Sequence, residues 1–167
     1  AVCRNLANRT GCRVASVEYG LAPEHVFPEG VEDCYAAARE VYRYPEQFGV
    51  LSHKITLIGD SAGGNLSAAV SLMARDRGEF AVSQQILLYP ATYYDHSPDS
   101  RFDSVRENGT GYLLTAKRVQ DYMALYAGGD ESVQKNPYFA PLCASDLSNQ
   151  PRTLVITAEF APLRDAG

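Results

Sequence analysis

Nowhere along its 167 residues does the chain carry a run of basic side chains, and its 15 Lys and Arg are outnumbered by 20 Asp and Glu. With a net charge of −5 it offers no patch to neutralise a phosphate backbone, so nucleic acid is not an expected partner. No apolar stretch approaches the roughly 18 residues of a membrane-spanning helix, so no transmembrane segment is expected. The four cysteines, Cys3, Cys12, Cys34 and Cys143, have neither C-x-x-C spacing nor a metal-ligand pattern. They read as small, buried or half-buried hydrophobes, and no metal is expected. Histidine is scarce: His25, His53 and His96 are the three, and none follows position 96. Repeats, low-complexity segments, an initiator methionine and a signal-like segment are all absent, so nothing in the sequence assigns a compartment.

What is there is the composition of a globular protein, 46% hydrophobic and 21% charged, of a length that holds at most one domain. Val2, Leu6 and the run to Gly11 read as the middle or end of an amphipathic helix, with Gly11 just past its end. Val14–Tyr19 reads as a strand, and Pro23 and Pro28 punctuate the loop after it. Val31, Tyr35, Ala38 and Tyr42 then fall at helical spacing up to Pro45. Ile55–Gly59 is a second strand, followed by a helix whose face carries Leu66, Val70 and Met73 and which stops at Gly78. Gln85–Tyr89 is a third strand, ended by Pro90. Residues 91–114 are polar and without period. A helix over Ala116–Ala127, capped by Thr115, and a fourth strand over Thr153–Thr157 complete the reading. Strands alternating with helices predict an α/β fold with a mostly parallel, doubly wound sheet.

The most informative residues are Gly59-Asp60-Ser61-Ala62-Gly63-Gly64-Asn65. They join the second strand to the helix after it, the context in which a G-x-S-x-G pattern becomes a nucleophile elbow. The turn is too sharp for relaxed backbone, so Ser61 is expected in a strained conformation, its Oγ pushed out at the C-terminal edge of the sheet. Gly59 and Gly63 are expected to leave room where a Cβ would clash, with Asp60 and Gly64 completing the support. The N–H of Ala62, at the helix N-terminus, is placed to stabilise developing negative charge. The plainer alternative is a glycine-rich turn holding an ordinary serine.

With those residues in view, GDSAGGN resembles the nucleophile motif of the hormone-sensitive-lipase-like esterases, a family of α/β-hydrolases. Tyr19-Gly20-Leu21-Ala22-Pro23-Glu24-His25-Val26-Phe27-Pro28 is similar to the family's Y-R-L-A-P-E-H-x-F-P. Thr157-Ala158-Glu159-Phe160-Ala161-Pro162-Leu163-Arg164-Asp165 is similar in part to its T-A-x-x-D-P-L-R-D. The resemblance implies a serine carboxylesterase or lipase acting on short- to medium-chain acyl esters without metal or cofactor. Ser61 is then the nucleophile, the Ala62 N–H one oxyanion donor, and residues 91–130 an insertion contributing to the pocket.

The departures from the family pattern are specific. Ala161 stands where the family has its triad aspartate, Gly20 replaces an arginine, and the H-G-G-G oxyanion motif is not in the chain. Asp165 and Glu159 are the candidate substitute acids. The triad order Ser, acid, His requires a histidine after the acid, and there is none. His25 reads as a loop residue of the A-P-E-H block, and His53 and His96 as exposed polar residues. The resemblance therefore implies an incomplete α/β-hydrolase, an internal piece lacking N-terminal strands and the C-terminal segment with the histidine. In the implied fold a strand leading into H-G-G-G lies between Val14–Tyr19 and Ile55–Gly59. The alternative function is a receptor-like, non-catalytic module that binds a small molecule on the same fold, suggested by Ala161. Oligomeric state is not read from the sequence.

Overall fold

A computed structural model describes residues 2–167. Its centre is a three-stranded parallel sheet in the order β1 (Thr56–Asp60), β2 (Gln84–Leu88), β3 (Arg152–Ile156). The register runs straight across, with Ile58 beside Ile86 beside Leu154 and Asp60 beside Leu88 beside Ile156. All three C-terminal ends therefore lie along one edge of the sheet.

The helices are α1 (Val2–Thr10), α2 (Glu29–Arg43), α3 (Ala62–Arg77), α4 (Asp103–Glu107) and α5 (Ala116–Ala127). α3 packs on β1 and β2, and α2 packs on α3. Its position between sheet and helix explains why α3 buries residues on most of its circumference, from Gly64 through Ala74, rather than along a single stripe. Val31 and Tyr35 of α2 meet Leu66, Val70 and Met73 of α3 in the main core, with Leu57 of β1 against them. Phe80 closes this core, stacked on Tyr42 at 4.9 Å and tilted against Tyr35 at 5.3 Å. α3 ends at Gly78 and α5 at Gly128, each left-handed at φ near 65° (66° and 63°), as glycine allows after the last turn.

The helices expected before Gly11, from Val31 toward Pro45, through Leu66, Val70 and Met73 to Gly78, and over Ala116–Ala127 all have counterparts, as do three of the four expected strands. The exception is Val14–Tyr19, which forms no strand. A strand exists only as one side of a ladder, and this apolar segment has no partner strand among the described residues. Two readings of the cysteines also change. Cys34 and Cys143 are half-buried as expected, but Cys3 is exposed on α1, which buries none of its residues, and Cys12 is exposed in the segment after it.

Candidate active site

β1 delivers the chain to the C-terminal edge of the sheet, and α3 begins one residue after Ser61. Ser61 itself has φ 52° and ψ −112°, a conformation that costs a non-glycine residue about 1–3 kcal/mol. Its N–H donates to the Leu88 carbonyl of β2 at 2.9 Å. Its carbonyl accepts from Asn65 N–H at 3.1 Å and from Ala91 N–H at 3.2 Å. These bonds hold the strained turn against the neighbouring strand. Ala62 is exposed and is the first residue of α3, so its N–H belongs to the helix turn that lacks intrahelical partners.

The glycines around it divide differently from expectation. A Cβ on Gly59 would lie 2.1 Å from the Gly63 carbonyl oxygen, which no rearrangement short of moving the helix relieves. At Gly64 a Cβ would sit 2.8 Å from Pro90 Cβ. At Gly63 it would meet nothing within 4 Å, so the steric role expected of Gly63 falls instead on Gly64. Asp60, the last residue of β1, is exposed.

Of the two candidate acids, Asp165 accepts from Arg164 Nε at 2.7 Å and from the Ser104 N–H of α4 at 2.7 Å. The Arg164 guanidinium, and then the Ser104 N–H, hold its carboxyl below the usual range. Glu159 has an exposed side chain, and it is its backbone carbonyl that is used, by Asn108 Nδ2 at 3.1 Å. Neither carboxylate hydrogen-bonds a histidine among the described residues. Ala161 is half-buried in the same loop, its carbonyl 3.4 Å from Asn108 Nδ2.

The histidines lie apart from the serine's hydrogen bonds. His25 is exposed, with Nδ1 2.7 Å from Glu29 Oε2, a partner that raises its pKa. His53 sits on a short turn, Ser52–Lys54, ahead of β1 and so at the far end of the strand from Ser61. His96, expected to be exposed, is only 2% exposed, and its Nδ1 has no hydrogen-bond partner. Its loop is folded on itself, with Ser100 Oγ donating to the Asp95 carbonyl at 2.8 Å, and Ser100 is buried with it.

Two residues that sequence reasoning left without a role turn out to organise the edge. Asn65, quoted in the motif, is buried and ties α3 to Ala91 and Phe139. Asn108, also buried, pins the 159–161 loop, and the only signal for it was an Asn-Gly pair in an unstructured stretch. Between them the segment after β2 is drawn to the loop after β3: Ala91, Val119 of α5 and Leu163 form one apolar cluster.

This architecture agrees with known proteins. Residues 1–167 match a family described as having the alpha/beta hydrolase fold. The chain is 41% identical over 167 residues to an arylesterase of Saccharolobus solfataricus, covering all of this chain and 53% of that protein. The solved esterase of Pyrobaculum calidifontis is 46% identical, with a TM-score of 0.91 over 99% of this chain and 53% of that one. A bacterial heroin esterase superposes with a TM-score of 0.92 at 35% identity, over 99% of this chain and 52% of that one. The chain thus spans about half the length of the relatives it matches. On this match and this elbow, the chain belongs to the α/β-hydrolase fold family, in its hormone-sensitive-lipase-like branch.

Proposed function

We propose that the protein is a serine carboxylic-ester hydrolase acting on short- to medium-chain acyl esters. One observation carries this reading: Ser61 is held at φ 52° and ψ −112° between a strand end and a 16-residue helix. Relatives named arylesterase, esterase and carboxylesterase support it. Ser61 Oγ adds to the ester carbonyl carbon as its proton passes to a general base, giving a tetrahedral oxyanion. The Ala62 N–H, at the positive end of the α3 dipole, donates to that oxyanion. Collapse expels the alcohol, which takes up the proton, and leaves an acyl-Ser61 ester that water cleaves to the free acid. Residues 91–130, which bring Ala91 against the elbow and Val119 against Leu163, contribute a pocket wall. Asp60, Gly59, Gly63 and Gly64 belong to the elbow's frame, and no metal or cofactor takes part.

Ala161 favours a second reading, a non-catalytic module that binds a small molecule on the same fold. An alanine cannot orient an imidazole, and Asp165 is already engaged by Arg164 and α4. Fluorophosphonate labelling followed by peptide mass spectrometry separates the two readings. The hydrolase carries the label on Ser61, and Ser61→Ala loses both the label and p-nitrophenyl acetate hydrolysis. Labelling and turnover that survive Ser61→Ala refute the assignment.

A further inference from the structure

We infer that Asn65 is a positioning residue for the nucleophile, acting through a closed ring of hydrogen bonds around the elbow. The inference rests on the reading of Ser61 as nucleophile. Asn65 is 5% exposed, and its Nδ2 donates to two carbonyls, Ala91 at 2.7 Å and Phe139 at 2.8 Å. Both partners are acceptors, so only the amide NH2 can face them, and both of its hydrogens are used. The ring closes through Ser61. The Ala91 N–H donates to the Ser61 carbonyl, the Asn65 N–H donates to that same carbonyl, and the Asn65 side chain returns to Ala91.

The ring fixes the torsions that aim Oγ. The Ser61 N–H bond to Leu88 holds the peptide before the serine, and the two donors on its carbonyl hold the peptide after it. With both peptides held, φ and ψ of Ser61 cannot relax toward the ordinary regions that an unrestrained serine prefers. The second Asn65 bond anchors the ring in turn. Phe139 is fully buried, stacked on Tyr126 at 4.9 Å and edge-on to Phe27 at 5.5 Å. Asn65 therefore references the nucleophile both to the segment leaving β2 and to the aromatic cluster beneath α5.

The test uses Asn65→Asp and Asn65→Ser in the intact protein. An ionised carboxylate at 65 has no hydrogen to donate and faces two carbonyl oxygens, whereas its protonated form donates once. Serine is shorter and keeps one donor. Misplacing a reacting atom by about 1 Å costs on the order of 10²-fold. That loss is expected in kcat for p-nitrophenyl acetate and in the rate of fluorophosphonate labelling, with KM unchanged and thermal unfolding still cooperative. For Asn65→Asp the rate relative to wild type rises as pH falls, because protonation restores a donor. Wild-type rates in the folded variants, a parallel change in kcat and KM, or a ratio flat with pH overturns the inference. If both variants lose cooperative unfolding, Asn65 is a folding residue and the inference is likewise overturned. A wild-type protein that takes no label at Ser61 overturns the hydrolase reading itself, whatever position 65 does.

Discussion

At the scale of single side chains, Ala161 matters because it stands where the family pattern that the chain resembles carries an acid. Its loop is already placed, with Asn108 bonded to the carbonyls of residues 159 and 161 and Leu163 buried against Ala91 and Val119. An acid introduced there needs no new scaffold. Removing the orienting carboxylate of a related triad costs about 10⁴ in kcat. In the intact protein, with a histidine to orient, Ala161→Asp is accordingly expected to raise ester hydrolysis by orders of magnitude. A variant no faster than the parent means that Asp165 or Glu159 already serves, or that the protein is no esterase. His96 gives a second prediction at this scale. Burial disfavours its charged form and lowers its pKa from 6.5 in the folded protein. As pH falls below 6.5 the unfolded chain binds the proton first, so stability falls until the lowered folded value is reached. His25 has the opposite sign, its contribution present below 6.5 and lost as pH rises through its raised value. Melting temperatures taken above and below the histidine range should show the acid-side loss, and His96→Leu should flatten it. A loss unchanged in the variant assigns it to another group. The strained turn at Ser61 was legible because its motif is short and steric. The burial of His96 was not, because a polar loop without period gives no sign of which of its residues is buried.

The elements were legible wherever local chemistry alone defines them. α5 begins and ends where the sequence placed it because Thr115 Oγ1 accepts the Arg118 N–H at 3.2 Å and Gly128 adopts the left-handed end. Thr115→Ala leaves that first-turn donor without its cap, at a cost of about 1 kcal/mol. Chemical denaturation should show this as a lower midpoint with unchanged slope, and Ser61 labelling should be unaffected because α5 supplies none of the elbow bonds. A midpoint equal to that of the parent would mean that water caps the helix equally well. Val14–Tyr19 shows the limit of such reading. Its composition suits a strand, but a strand depends on a partner that local sequence cannot report. The same holds for α4, five residues long, whose position depends on Asp165 accepting the Ser104 N–H from sixty-one positions away.

At the scale of the whole molecule, the sheet is covered unequally. Leu57 of β1 faces the core built by α2 and α3. Alternate residues point the other way, and on that face Ile58, Leu154 and Ile156 are 43%, 52% and 47% exposed. They lie in adjacent registers, beside Ile86 and Leu88, so they form a patch rather than scattered contacts. Among the described residues β1 and β3 each pair on one side only, which leaves two rows of backbone donors and acceptors without a ladder. Each such group costs about 1–3 kcal/mol when it is removed from water unpaired, against a total stability of about 5–15 kcal/mol. Residues 1–167 expressed by themselves are therefore expected to self-associate or stay molten, because exposed apolar faces and open edges recruit other chains. Sedimentation velocity should find oligomers that shift toward monomer in Ile58→Lys and Ile156→Lys, whose charges oppose stacking on this face. Ser61-dependent hydrolysis should be absent from that preparation, since an elbow referenced to a shifting sheet cannot hold its nucleophile. A monomer with a cooperative thermal transition and Ser61-dependent turnover, measured on these residues alone, would show that the open edges are tolerated and that the half-covered sheet suffices for catalysis.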